Sequence, residues 1–160
     1  MKRWCAFFLC LVFLLPLVGC AEGQSAKEAA REAVDRLHLP AGNLYFPHAQ
    51  SHEEGYLSPS LRFALFGKEG DVLLATAHDG AVYLGLGLEE PLEFALLSFS
   101  THAEARRAAG ALSARLSALR RLSPASPNLV GAGVWVIKNA VFYTVLPDNE
   151  GARHLLSRLV

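Results

Sequence analysis

Beyond residue 25 the chain alternates between helical and strand periods. Ala26, Ala30, Ala33, Val34 and Leu37 recur at helical spacing, which predicts a helix over 25–38 ended by Pro40 and Gly42, with Arg31 and Asp35 placed for a polar-face pair. Residues 43–56 carry little periodicity. Ser58-Pro59 reads as N-cap and first helical residue of a short helix that buries Leu61, Leu65 and Phe66 and is closed by Gly67. From Asp71 the period becomes that of strands: 72–77 and 81–87 flank Asp79-Gly80, a pair suited to a tight hairpin. A further strand over 92–100 is entered through Glu89-Glu90-Pro91.

Thr101 and Glu104 form a capping box that opens the longest helix, which runs to about Leu122 and is broken by Ser123-Pro124 and Ser126-Pro127. Residues 133–138 and 141–146 read as a second hairpin turning at Lys138-Asn139, and Asp148 caps a last helix carrying Leu155, Leu156 and Leu159. This order predicts an α+β domain: a mostly antiparallel sheet of four to five strands packed against one long and two or three shorter helices. Phe94, Leu96, Trp135, Ile137, Phe142, Leu112, Leu116 and Leu119 are the expected core, where truncating a leucine costs about 2 to 5 kcal/mol.

The N-terminus follows a different pattern. Lys2 and Arg3 precede an almost wholly apolar stretch over 4–18, and Gly19 puts a small residue before Cys20. This is the layout of a secretory signal with its cleavage point. A membrane span calls for roughly 18 or more consecutive apolar residues, and this run is shorter and broken by Pro16. Leu17-Val18-Gly19-Cys20 resembles the bacterial lipobox, which implies cleavage before Cys20 and diacylglycerol on its sulfur. The organisation expected is a signal peptide over 1–19, the lipidated cysteine and a short tether over 20–25, and one domain over 26–160. Each buried acyl methylene contributes about 0.8 kcal/mol, so two or three chains hold firmly. The tether reaches some 20 to 25 Å at about 3.3 to 3.6 Å per residue, which keeps the domain close to the bilayer.

Cleavage changes the charge and thiol inventory. It removes Lys2 and Arg3 and no acid, so the fifteen basic residues become thirteen against fifteen acidic ones, a mildly acidic protein. It also removes Cys5 and Cys10, leaving Cys20 committed to its thioether. On that reading a disulfide framework, a cysteine-ligated zinc and a cysteine nucleophile are excluded. The remaining length suits a single core.

The lipobox, the Leu-rich segment ending in Gly67, the 92–100 strand running into Thr101-His102-Ala103-Glu104-Ala105, the Arg-rich long helix and the late glycine-interrupted hairpin together resemble a family of short bacterial lipoproteins containing a single domain of unknown function. The likeness is one of element order and hydrophobic pattern over most of the processed chain. It implies the fold and an extracytoplasmic, lipid-anchored location, on the outer face of the cytoplasmic membrane in the Gram-positive bacteria where such proteins are mainly found. It supplies no active-site residues.

Charge is segregated on the long helix. Ala105, Ala108, Ala109, Leu112, Leu116 and Leu119 share one stripe, and Arg106, Arg107, Arg120 and Arg121 lie opposite. The basic side is a candidate contact for anionic lipid headgroups or a wall polymer, where each arginine contributes about 1 kcal/mol, against the plainer reading of a solvated helix face.

His48 and His52, followed by Glu53 and Glu54, would form a weak metal site if the segment were helical, although it carries no helical signal. His78-Asp79 has the look of a metal-hydrolase pair, but Asp79 is accounted for by the turn, and His102 sits in a helix first turn where the dipole disfavours its charged form. No G-x-S-x-G, H-E-x-x-H or P-loop occurs. Glu53-Glu54 and Glu89-Glu90 are sequence neighbours whose side chains diverge, which makes poor acid/base partners.

No catalytic residue, no cofactor, no metal and no nucleic-acid partner is expected. The function expected is that of a membrane-anchored envelope lipoprotein acting as an interaction or accessory protein through an exposed sheet or helix face. The alternative is a small-molecule or metal-binding lipoprotein.

Overall fold

The computed structural model describes residues 25–86 and 89–160. Cys20, the signal segment and the end of the strand expected over 81–87 lie outside the described residues. Among the described residues no helix is long and apolar enough to cross a membrane.

Five strands form one antiparallel sheet, β1 (Gly42–Tyr45), β2 (Asp79–Gly85), β3 (Glu93–Ser98), β4 (Gly133–Ile137) and β5 (Ala140–Val145), in spatial order β1-β2-β3-β5-β4. The helices are α1 (Ala26–Arg36), α2 (Pro59–Phe66), α3 (Gly70–Thr76), the 21-residue α4 (His102–Leu122) and α5 (Asn149–Leu159). The α+β class expected from the sequence is the one observed.

Both faces of the sheet are covered. Successive strand residues feed opposite cores, as the two-residue period requires. Val82, Ala95, Leu97, Val141, Tyr143 and Val145 pack against α2, α3 and α4, whereas Ala81, Tyr83, Phe94, Leu96 and Phe142 pack against α1 and α5. An antiparallel sheet with two buried faces explains why β3 and β5 read as nearly continuous apolar runs. The sheet face expected to meet a partner is therefore occupied by the protein's own helices. The predicted core also divides: Phe94, Leu96 and Phe142 lie on one side, Leu112, Leu116 and Leu119 on the other. Trp135 and Ile137, on edge strand β4, are only partly buried. The Trp135 ring stacks on Phe142 at 5.3 Å and lies under Arg153.

Helix signals read from the sequence are realised at atomic detail. Thr101 and Glu104 cap α4 reciprocally, and Ser25 and Glu28, which the sequence reading did not single out as a cap, do the same for α1. Ser58 caps α2 ahead of Pro59, and Gly67 closes it at φ +64°. Asp148 accepts from Gly151 N at 2.8 Å to start α5. Lys138 takes a left-handed φ of +52° in the β4–β5 turn.

Three expectations are corrected. Residues 72–77 form helix α3, not a strand. Leu73, Leu74 and Ala77 are buried together at helical spacing, Val72 points to solvent, and Leu and Ala favour helix. Asp79-Gly80 consequently opens β2 and makes no hairpin. The glycine is required by close approach, since a Cβ there would lie 2.5 Å from the Leu96 carbonyl oxygen. On α1, Arg36 pairs with Glu32 at 2.6 Å, while Arg31 lies over the Phe46 ring and not beside Asp35. Strand β1, within the segment of little periodicity, is a four-residue edge element. A Cβ at Gly42 would overlap the Tyr83 ring, whose hydroxyl donates to the Pro40 carbonyl at 2.6 Å.

Candidate functional site

One end of the sheet gathers the start of the described chain. Asp79 accepts from Lys27 N at 3.3 Å and from Gly80 N at 2.7 Å, seating the first turn of α1 on the first residue of β2. Asp79 stands opposite Ser98, and Ser98 opposite Ala140. Beside them the ring of His102 donates through Nδ1 to the Lys138 carbonyl at 2.5 Å, and Lys138 Nζ lies 3.4 Å from the Val160 oxygen that accepts from it. Two solvent-facing cavities border this end. One, of about 450 Å³, is lined by Ser25, His78, Asp79, Ser98, Lys138 and Val160. The other, of about 380 Å³, is lined by Lys27, Phe46, His48, Glu53, Glu54 and Asp79.

The candidate histidines do not converge. Residues 47–55 are turns and bends, so His48 and His52 do not share a helical turn. His48 donates through Nε2 to the Ala77 carbonyl at 2.6 Å, and Glu53 accepts from Gln50 N at 2.7 Å. Among the described residues no group of three or more His, Cys, Asp or Glu is placed to hold a metal ion.

The four arginines expected on the outer side of α4, Arg106, Arg107, Arg120 and Arg121, separate into two pairs. Arg106 and Arg120 are fourteen residues apart, about 21 Å at 1.5 Å per residue. All four are exposed, but Arg120 donates to the Ala132 carbonyl at 2.8 Å and so ties the end of α4 to the loop before β4. Arg107 lines a groove of about 430 Å³ between α3 and α4 with Val72, Phe99 and Ala111.

The best-built polar cluster was not legible from the sequence. At the opposite end of the sheet, Glu93 of β3 is 4% exposed and receives a two-pronged bond from Arg115 of α4, Nε to Oε1 at 2.9 Å and Nη2 to Oε2 at 3.0 Å. The hydroxyl of Tyr143 on β5 donates to the same Oε1. Burial, then the charge and hydrogen bond of Glu93, hold the Tyr143 hydroxyl well above the usual tyrosine range despite Arg115 nearby. For Arg115, burial opposes the charge and the Glu93 carboxylate overcomes it, raising its pKa. A cavity of about 360 Å³ lies alongside, with Glu89, Glu90 and Ser123 on its walls.

With its carboxylate oxygens bonded to Arg115 and one also to Tyr143, Glu93 acts as a clamp between α4 and the sheet. The available signals were a lone charge inside an apolar strand run and an arginine flanking the apolar stripe of α4.

Comparison with protein-family models, with curated proteins and with solved structures returns no match to this chain.

Proposed function

We propose that this protein is a membrane-anchored envelope lipoprotein, held by acyl chains on Cys20, whose α+β domain is a non-enzymatic interaction or accessory module displayed on the extracytoplasmic face. The observation that carries the reading is the lipobox followed so closely by Ser25, the cap of the first helix. The resemblance to short bacterial lipoproteins of unknown function is part of this proposal. The engagement of Glu28, Asp79, Glu93 and Glu104 in caps and clamps supports a scaffold role over acid/base work.

The test is affinity capture of the tagged full chain from gently solubilised membranes, with Cys20→Ala as control. Recovery of one defined envelope protein, lost with the anchor, is expected. Recovery of nothing beyond background contradicts the interaction role. A small-molecule or metal-binding role is the second reading, favoured by the cavity where Lys27, His48, Glu53 and Asp79 meet. A metabolite and metal screen by thermal shift separates the two.

A further inference from the structure

We infer that strand β4 is a pairing edge whose occupant is β4 of a second copy of this chain, joined antiparallel about a two-fold axis through Trp135. The inference stands on the described domain and does not depend on the lipid anchor. Ile137 pairs with Ala140 across the two-residue Lys138-Asn139 turn, which makes them the closing hydrogen-bonded pair of the hairpin. Bonding then alternates along β4. Gly133, Trp135 and Ile137 direct their amides to β5, and those of Val134 and Val136 face away from the sheet. Among the described residues no hydrogen bond reaches these outward groups.

The open stretch has defined ends. Ala132 N donates to the Leu129 carbonyl, and the Ala132 carbonyl accepts from Arg120 at 2.8 Å. At the other end the Lys138 carbonyl accepts from His102. Both side-chain donors belong to α4, which thus closes the edge on either side of Val134 and Val136 and leaves those two free. The strand itself, Gly133-Val134-Trp135-Val136-Ile137, contains no charge and no proline, the usual guards of an exposed edge. The opposite edge, β1, is only four residues long and includes Gly42 and Asn43.

These ends select both the partner and the register. With Val134 opposite Val136 of the second copy, and the reverse, the open groups alone make four N–H···O bonds. Moving the axis to Val134 or Val136 leaves two, because the next pair would call on Ala132 or Lys138, whose carbonyls are taken. The side chains fit the same register. The Trp135 ring lies over Gly133, where a Cβ would come within 2.7 Å of it, and Gly133 stands opposite Ile137 of the second copy, which brings that side chain beside the indole. On the α4 side the facing residues are valines, a favourable β-branched pair. The two-fold axis is perpendicular to the sheet, so both α1 helices lie in one layer. Both chains then leave Ser25 on the same side of the sheet, as two anchors in one bilayer require.

The test uses the full chain with Cys5→Ser, Cys10→Ser and Cys20→Ser, so that an introduced cysteine is the single thiol. Two differently tagged forms, Val134→Cys and Val136→Cys, are co-expressed, purified in mild detergent and oxidised. Facing residues of such a pair have Cα atoms about 5.5 Å apart, within disulfide reach. A disulfide-linked dimer bearing both tags is expected, with little from either form expressed alone, because residue 134 faces 136 and not itself. No crosslink in the mixed sample, or equal crosslinking in all three, overturns the pairing. Sedimentation of the unsubstituted full chain in the same detergent is expected to give the mass of two chains. Val134→Pro, which removes an outward N–H and no bond to β5, is expected to give one chain with unchanged circular dichroism. A single-chain mass for the unsubstituted protein overturns self-pairing and leaves the edge to a strand of a different protein. If Val134→Pro fails to fold, the cysteine pair decides.

Discussion

Replacing Arg115 with leucine removes the counter-ion of a carboxylate that is 4% exposed and bonded to both guanidinium prongs. Were the pair on the surface, the loss would be about 0 to 1 kcal/mol. Glu93 is nearly cut off from solvent beneath α4, and breaking a buried pair from one side costs about 3 to 5 kcal/mol. Arg115→Leu is therefore expected to lose on the order of 3 kcal/mol or more. Adding Glu93→Gln removes the stranded charge while keeping an oxygen for Tyr143, so the double variant is expected to recover more than half of the loss. Urea unfolding of residues 20–160, in which Trp135 is the single tryptophan, followed by its fluorescence, supplies the four free energies. A loss under about 1 kcal/mol for Arg115→Leu, or strict additivity, refutes the clamp.

Three further outcomes follow from particular side chains. Burial keeps Tyr143 protonated in the native state while its unfolded counterpart ionises near pH 10, so the native state holds the extra proton above that pH. Stability is thus complete below about pH 10 and falls above it, by up to about 1.4 kcal/mol per unit. Tyr143→Phe is expected to shallow this alkaline limb, leaving the share of Tyr83, which burial shifts the same way, and an unchanged limb argues against it. Asn149 is 3% exposed, donates to the carbonyls of Asn128, Val130 and Leu146, and accepts from Leu146 N, so Asn149→Ala is expected to cost about 1 to 3 kcal/mol by thermal unfolding. Gly110 lies mid-helix with nothing within 4 Å of a Cβ, and Gly110→Ala is expected to stabilise α4 by about 1 kcal/mol, a gain that calorimetry reads directly.

Local signals carried much of the fold. Thr101-Glu104, Ser58-Pro59 and Asp148 gave helix starts because a cap is an interaction within four residues, and Lys138-Asn139 gave the hairpin because a tight turn is equally local. What failed depended on partners distant in sequence. Residues 72–77 fit either period on paper, and the choice was made by the core beneath α2 and α4. β1 exists because it pairs with β2 and lets Tyr83 pass beside Gly42, contacts invisible in a four-residue segment. Glu93, Arg115 and Tyr143 are separated by 22 and 28 positions along the chain, so no spacing rule joins them. Arg106, Arg107, Arg120 and Arg121 are exposed on α4, but helical angle alone ignored the length that divides them and the bond that ties Arg120 to the Ala132 carbonyl.

The mass of the N-terminal peptide of protein recovered from bacterial membranes reports on the anchor itself. A lipid anchor on Cys20 gives a peptide beginning at Cys20 with diacylglycerol on its sulfur, absent from Cys20→Ala, which retains residues 1–19. A chain that begins at Met1, or a Cys20 carrying an unmodified thiol, contradicts it.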